Sequence, residues 1–201
     1  MTIKSDNVTN VVIAGVGGQG ILLASEVLAR TALIAGYTVK TNEVHGMAQR
    51  GGSVIAQIRY GSEVHSPLVP AGTADILASF EKIEALRYAY YLSPKGKAVI
   101  SNDELIPVTV SSGNAKYPKD LENILKKTFQ NLYIIDTTAK ALELGVVQAA
   151  NIVIMGAVST CLNLPIEAWQ ESIRSTVKSK YVEINLKAFD IGRKLICDVA
   201  P

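Results

Sequence analysis

Four glycines near the N-terminus form the first pattern in this chain that could bind a ligand. The segment Gly15-Val16-Gly17-Gly18-Gln19-Gly20 has the spacing G-x-G-x-x-G, after an apolar run and before a helical pattern. Glycines at such a turn allow positive φ angles, and the N-terminus of a helix favours phosphate. The segment is therefore a candidate phosphate- or nucleotide-binding turn. A tight turn without a ligand is the alternative.

A dinucleotide site of this kind also needs an acid near the end of the second strand, about 20 residues later. Glu43 lies 23 residues after Gly20. However, Glu43 is followed by a glycine-flanked stretch rather than a new helix, which breaks the strand-helix-strand continuation of an NAD site. A stand-alone dinucleotide-binding regulator or dehydrogenase, using NAD or FAD, stays open as an alternative.

The stretch 43–53 concentrates polar side chains and glycines in an otherwise apolar chain. Arg50 is followed by Gly51 and Gly52, and His45 precedes them. An arginine is a permanently charged donor fork, and adjacent glycines expose their N–H groups, so the stretch could hold an anion or a carboxylate. An ordinary turn with Arg50 facing water is the alternative.

Cysteine and histidine are too few for several kinds of site. Cys161 and Cys197 cannot supply a four-cysteine iron–sulfur or zinc site, and we expect two reduced thiols. His45 and His65 lack an identifiable third metal ligand, and no serine elbow accompanies them, so neither metal binding nor a nucleophilic triad is indicated. The sequence therefore offers no catalytic residue and no metal ligand.

The composition suggests that another chain covers part of the surface. Apolar residues make up 48% and charged residues 19%, with a mean hydropathy of +0.23, whereas soluble domains average about 25% charged residues. A compact α/β domain with a fully buried sheet is the alternative explanation. The net charge of +2, from 20 basic and 18 acidic residues, does not indicate nucleic acid. No apolar run suits a signal sequence or a bilayer, so we expect a cytoplasmic protein that does not bind membranes.

Strand and helix patterns alternate along the first two thirds of the chain. Apolar runs predict strands at Asn10–Gly15, Tyr37–Thr41, Ser53–Tyr60, Asp75–Phe80, Lys97–Ser101, Pro107–Ser111 and Asn131–Asp136. Helices are predicted at Gly18–Ala35, Glu81–Leu92, Tyr117–Phe129, Thr138–Leu144, Asn151–Leu162, Pro165–Val177 and Tyr181–Leu195. This order favours one α/β domain over residues 1–201. It would be a three-layer α/β/α sandwich with a mostly parallel sheet, a Rossmann-like start and a helical C-terminal third.

One strand, one helix and two connections carry finer predictions. Ser53–Tyr60 alternates apolar and polar residues, which predicts a half-exposed strand. The first helix is apolar nearly all round, which predicts heavy burial, and its charged residues Glu26 and Arg30 are spaced for an ion pair. Residues 43–52 are predicted to form a loop, and 93–96 a turn.

The two glycine motifs together resemble a known family. Gly15-Val16-Gly17-Gly18-Gln19-Gly20 followed by His45-Gly46-Met47-Ala48-Gln49-Arg50-Gly51-Gly52 resembles the gamma-type domain of 2-oxoacid:acceptor oxidoreductases. The second motif, in this form, is similar to that of the beta subunits of indolepyruvate:ferredoxin oxidoreductases. Gamma subunits of pyruvate, ketoisovalerate or 2-oxoglutarate enzymes are the alternative within the family.

The resemblance implies a reaction that this chain does not carry out alone. In the family, thiamine diphosphate attacks the keto carbon of a 2-oxoacid, CO₂ leaves, iron–sulfur clusters pass electrons to ferredoxin, and coenzyme A (CoA) accepts the acyl group. It implies a large alpha subunit that holds the thiamine diphosphate and the clusters, joined with this chain in a heterotetramer, and no cofactor in this chain itself.

The resemblance also assigns roles to residues. It makes Gly15, Gly17, Gly18, Gly20, Arg50, Gly51 and Gly52 candidates for binding phosphate or for shaping the approach of CoA. His45, Met47 and Gln49 become candidates for the edge that faces the partner subunit.

Overall fold

A six-stranded mixed sheet forms the centre of the computed structural model, which describes residues 8–46, 51–105, 118 and 120–197. The strand order across the sheet is β2-β3-β1-β4-β5-β6. The strands are β1 (Thr9–Val16), β2 (Thr38–His45), β3 (Ser53–Gly61), β4 (Ala74–Ser79), β5 (Leu92–Ser101) and β6 (Leu132–Ile135). Strands β1, β4, β5 and β6 are parallel neighbours, whereas β3 is antiparallel to both β1 and β2.

Helices cover both faces of the sheet. The helices are α1 (Ile21–Ile34), α2 (Lys82–Arg87), α3 (Leu121–Thr128), α4 (Thr137–Glu143), α5 (Ala150–Ser159), α6 (Ile166–Thr176) and α7 (Val182–Cys197). Buried residues of α1, α5, α6 and α7 share one hydrophobic cluster, and those of α2 and α3 share a second. The predicted α/β sandwich with a helical C-terminal region is thus confirmed.

The apolar run of β1 explains why this strand lies inside the sheet. Val11, Val12, Ile13 and Ala14 are all fully buried. Successive side chains of a strand point to opposite faces; Val11 and Ile13 enter the α1-side cluster, and Val12 and Ala14 the α2-side cluster. A strand that is apolar at every position is therefore covered on both sides, as expected for a parallel sheet.

Glycines bring α5 and α7 into backbone contact. A Cβ atom at Gly156 of α5 would lie 2.1 Å from the Phe189 carbonyl oxygen, and one at Gly192 of α7 would lie 1.8 Å from the Val153 carbonyl oxygen. Beside this crossing, the rings of Trp169 and Phe189 pack with centroids 5.6 Å apart. The C-terminal helices thus form a tightly packed layer on the α1 side of the sheet.

The prediction of a half-exposed third strand was wrong. Val54, Ile55, Ala56, Gln57 and Ile58 are all buried, because Val54, Ala56 and Ile58 enter the α1-side cluster and Ile55 lies in the same opposite cluster as Val69. The polar member, Gln57, is satisfied inside, where its Oε1 accepts a hydrogen bond from the backbone N–H of Val69 at 2.6 Å. The chain following β3 therefore covers the face that the alternating pattern suggested was open to water.

Three other boundaries differ from the sequence prediction. The predicted loop at 43–52 is strand as far as His45, since β2 and β3 form a ladder that pairs His45 with Val54. The predicted turn at 93–96 lies inside β5, where Gly96 packs closely on the Ala74 carbonyl oxygen. Helix α2 ends at Arg87 rather than Leu92, and a single 3-10 turn follows it. The strand predicted at 107–111 lies outside the described residues.

The first helix is less buried than its composition suggests. The predicted ion pair is present, with Arg30 Nε 2.9 Å from Glu26 Oε1. However, Leu22, Leu33 and Ile34 are 46%, 56% and 48% exposed, so heavy burial all round was wrong. Apolar side chains are thus exposed at both ends of α1, with the Glu26–Arg30 ion pair between them. Among the described residues, no helix has the length and apolar character that a membrane span requires.

Candidate functional site

The glycine turn, residues 15–20, connects the end of β1 to the start of α1. Gly18 and Gly20 have φ angles of 106° and 83°, which a side chain would strain. At Gly15, a Cβ atom would lie 2.9 Å from Cβ of Phe80, the residue that follows β4. These glycines therefore serve two needs, the left-handed backbone of the turn and its close approach to the neighbouring strand.

Gln19 fixes the shape of the glycine turn from within. Its Oε1 accepts a hydrogen bond from Val16 N–H at 2.7 Å, and its Nε2 donates to the Phe80 carbonyl oxygen at 2.8 Å. The side chain thereby ties the end of β1 to the end of β4. Sequence patterns did not single out Gln19, although it carries the only polar side chain in the turn.

The second glycine motif is hydrogen-bonded to the first. Gly17 N–H donates to the Gly52 carbonyl oxygen at 2.8 Å, and Gly51 N lies 3.5 Å from the Gly17 carbonyl oxygen. Strands β2 and β3 form an antiparallel hairpin. At the base of this hairpin, Gly46 N–H donates to the Ser53 carbonyl oxygen at 2.9 Å. The two motifs, far apart in the sequence, therefore form one structural unit at the edge where β1 ends and β3 begins.

A cavity of about 650 Å³ opens between the two motifs. It is lined by Gly17, Gly18, Gly20, Ile21, Leu22, His45, Gly46 and Val54. His45 is exposed at the end of β2, so its ring can meet a ligand or another protein there. Of the other selected residues, Met47, Gln49 and Arg50 lie outside the described residues. Gly51 and Gly52 lie at the base of the hairpin, beside Gly17.

The geometry argues against a conventional dinucleotide site. Strand β3 separates β2 from β1, and Glu43 of β2 instead accepts a hydrogen bond from Ser25 Oγ at 3.0 Å. A ribose-binding acid normally comes from the parallel strand next to β1. In addition, the amides of Val16 and Gly17 donate to Gln19 and Gly52 within the protein, so they are not free for a pyrophosphate.

A second cleft, of about 440 Å³, lies on the other side of the glycine turn. Asp103, Thr137 and Asn151 line it together with Gly18 and Gly20. Asn151 is 5% exposed, and its Oδ1 has no hydrogen-bond partner among the residues that the structure describes. A Cβ atom at Gly20 would lie 2.3 Å from its Nδ2. Sequence patterns did not identify Asn151, which could have been noticed as a polar residue at the start of the apolar helix α5.

The other residues that could take part in chemistry, His65 and Cys161, do not line the cavity between the glycine motifs. His65 lies 3.4 Å from Glu63 on the exposed surface, away from the cavity that His45 lines. Burial raises the pKa of the Cys161 thiol. Across 8–46, 51–105, 118 and 120–197, no group of three or more His, Cys, Asp or Glu residues is placed to hold a metal ion.

Comparison with known proteins gives consistent matches along nearly the whole chain. A family model described as pyruvate ferredoxin/flavodoxin oxidoreductase matches residues 10–195. The chain is 46% identical over 191 residues to indolepyruvate oxidoreductase subunit IorB of Pyrococcus horikoshii, covering 92% of this chain and 94% of that protein.

Two solved structures share the fold. The keto/oxoacid ferredoxin oxidoreductase gamma subunit from Geobacter sulfurreducens matches with a TM-score of 0.70 and 21% identity, over 94% of this chain and 99% of that chain. The 2-oxoglutarate:ferredoxin oxidoreductase from Magnetococcus marinus, with 2-oxoglutarate, coenzyme A and succinyl-CoA bound, matches with a TM-score of 0.74 and 20% identity. That match covers 98% of this chain and 32% of the other, so the same fold also occurs within a longer chain.

Proposed function

Because the chain belongs to the pyruvate ferredoxin/flavodoxin oxidoreductase family, we propose that it is the small accessory subunit of an indolepyruvate:ferredoxin oxidoreductase. The observation that carries this proposal is the 46% identity to an indolepyruvate oxidoreductase subunit over nearly the full length of both chains. By comparison, the chain is 28% identical over 191 residues to the 2-oxoglutarate synthase subunit KorC of Methanothermobacter thermautotrophicus. The gamma subunit of a pyruvate, ketoisovalerate or 2-oxoglutarate enzyme is the second candidate.

The proposed partner is a large subunit that holds the cofactors. Thiamine diphosphate would allow the 2-oxoacid to lose CO₂, and iron–sulfur clusters would carry the electrons to ferredoxin. The exposed apolar side chains of α1, Leu22, Leu33 and Ile34, are available for contact with a partner chain, and the low share of charged residues, 19%, supports a role in assembly. The chain contributes packing surface and one wall of the route by which CoA arrives.

The paired glycine motifs are the proposed place for that contact with CoA. The cavity of about 650 Å³ adjoins the N-terminus of α1, whose backbone N–H groups favour phosphate oxygens. Gly18 is exposed there and leaves its backbone uncovered. His45, Met47 and Gln49 are proposed to face the large subunit, and Arg50, Gly51 and Gly52 to meet the anionic end of CoA.

Co-expression with the candidate large subunit tests the proposed function. We expect a stable complex that reduces ferredoxin or a viologen dye when given indolepyruvate and CoA, while this chain alone shows no such activity. Pyruvate and 2-oxoglutarate serve as competing substrates for the second candidate. A complex that prefers either of these over arylpyruvates would reject the indolepyruvate assignment.

Replacing Arg50 with alanine is expected to raise the KM for CoA at least about tenfold, because a charge-assisted contact to phosphate is lost. Assembly with the large subunit should persist, as measured by gel filtration. Arg174→Ala, which removes an arginine from α6 at a distance from both glycine motifs in the sequence, is the control. Unchanged CoA kinetics in the Arg50 variant would remove this residue from the site.

The dinucleotide alternative predicts that the isolated chain binds NAD, NADP or FAD, whereas the proposed function predicts that it does not. Because β3 separates Glu43 from β1 and two amides of the turn are already bonded, we expect no binding of NAD, NADP or FAD. Isothermal titration calorimetry at millimolar nucleotide measures this directly. A saturable heat with any of the three would favour the stand-alone dinucleotide-binding protein.

A further inference from the structure

A buried acidic residue, Glu84, lies beneath the point where the hairpin enters β3. Glu84 belongs to α2 and is 5% exposed. Its Oε2 accepts a short hydrogen bond from Ser53 Oγ, and its Oε1 accepts one from Arg87 Nε at 3.0 Å. Ser53 is the first residue of β3 and directly follows Gly51 and Gly52. Glu84 therefore contacts the second glycine motif through one intermediate side chain.

The direction of the hydrogen bonds makes this contact specific. A serine hydroxyl has one hydrogen to donate, and Ser53 donates it to Glu84. The Tyr88 hydroxyl, 2.9 Å from Ser53 Oγ, must then be the donor to Ser53. Tyr88, Ser53 and Glu84 thus form a chain that fixes the Ser53 side chain at both its donor and its acceptor position.

The backbone on either side of Ser53 holds the site together. The Ser53 carbonyl oxygen accepts from Gly46 N–H, which closes the base of the hairpin. The adjacent Gly52 carbonyl oxygen accepts from Gly17 N–H, which joins the hairpin to the glycine turn. Because Ser53 lies between these contacts in the chain, fixing its side chain restrains both.

Burial of an acidic side chain is costly unless its oxygens are hydrogen-bonded. An apolar side chain could fill the same space under β3 without that cost. Nearby, Glu81 is also buried, and its Oε2 accepts from Glu84 N–H at 2.9 Å. That bond makes Glu81 the N-terminal cap of α2, whereas the Glu84 carboxylate bonds to Ser53 and Arg87.

We propose that Glu84 is a positioning residue that acts through Ser53. It fixes the Gly51–Ser53 segment against Gly17 and Gly46, and so holds in place two residues that form the wall of the cavity between the two glycine motifs. The consequence for CoA binding rests on the proposed function. The restraint itself does not, since it is a property of this chain alone.

Amide hydrogen exchange of the full chain, followed by NMR, tests the restraint. In Glu84→Ala and in Ser53→Ala, we expect exchange at Gly17 and Gly46 to accelerate at least about tenfold, because both amides bond to the segment that is released. Exchange at Val99, in the central strand β5, should stay unchanged. Unchanged exchange at Gly17 and Gly46, or an equal increase at Val99, would overturn the proposal by showing no role or only a general loss of stability.

Three further variants separate positioning from simple destabilisation. The double variant of Glu84 and Ser53 should be no faster than either single variant, because both changes break the same contact. Glu84→Gln keeps an acceptor oxygen for Ser53 and should restore slow exchange. Glu26→Ala removes an exposed acid from a comparable helical ion pair and should have no effect on either amide. Additive effects, or a failure of glutamine to restore protection, would overturn the role assigned to Ser53.

The assembled complex then tests the consequence for the site. Glu84→Ala should raise the KM for CoA about fivefold or more and leave kcat within about twofold, since the wall of the cavity is displaced while the reacting groups are not. A kcat loss without a KM change would overturn this extension. If the wild-type complex shows no CoA-dependent activity, the proposed function fails, whereas the exchange result still decides the positioning role.

Discussion

An alanine at position 192 is expected to lower the free energy of unfolding by about 3 kcal/mol. A Cβ atom there would lie 1.8 Å from the Val153 carbonyl oxygen and 3.0 Å from the Ala157 nitrogen, both backbone atoms of α5. Backbone atoms inside a helix cannot turn aside as a side chain can, so α7 must move away from α5. That movement would also loosen the packing of Phe189 on Trp169.

The direction of the stability change at Gly192 distinguishes a close contact between α5 and α7 from an open position. In an open position on a helix, replacing glycine with alanine stabilises by roughly 1 kcal/mol. Urea unfolding of the isolated chain measures the change, with Lys187→Ala, an exposed position on the same helix, as the control. A Gly192→Ala protein as stable as the parent would mean that α5 and α7 do not approach this closely.

Gly20→Ala should lower the free energy of unfolding by about 2 kcal/mol, from backbone strain and from a clash. Its φ angle of 83° is unfavourable for alanine, and the new Cβ atom would lie 2.3 Å from Asn151 Nδ2. Gly18→Ala isolates the backbone strain, because Gly18 has a φ angle of 106° but, in the described part of the chain, a Cβ atom added there would meet nothing within 4 Å beyond its chain neighbours. We therefore expect Gly18→Ala to cost about half as much.

Asn151→Ala provides the matching test of the clash. Combined with Gly20→Ala, it should leave the protein about 1 kcal/mol more stable than the sum of the two single changes predicts, because the obstructing amide is gone. The same urea measurements complete the cycle. Strict additivity, or equal costs at positions 18 and 20, would show that Asn151 does not press against the glycine turn.

The parts of the fold set by neighbouring residues could be predicted from the sequence. The run from Val11 to Ala14, the glycines that follow and the spacing of Glu26 and Arg30 identify β1, the turn and α1, since each signal acts over a few residues. The place of β3 could not be found this way. Its alternating pattern indicates water on one face, but Gln57 is satisfied by Val69, and only the tertiary structure brings that partner near.

The same distinction applies to the site. Gly17 and Gly52 were both selected because glycine-rich turns stand out in an apolar chain, but their hydrogen bond spans 35 positions and has no local signature. Gln19, Asn151 and Glu84 were missed, because each acts on a residue that only the fold brings close. Sequence patterns therefore identified the backbone of the site more completely than the side chains that hold it.

The insertion of β3 between β1 and β2 limits how this scaffold could be re-engineered. In the β1–β3 ladder, Val16 pairs with Ser53, so the start of an antiparallel strand occupies the position where a nucleotide-binding enzyme has the end of a parallel one. Redesigning Glu43 would not create a cofactor site, because that carboxyl group is one strand too far away. A protein engineer would have to reverse the order of two strands, which changes the topology rather than a side chain.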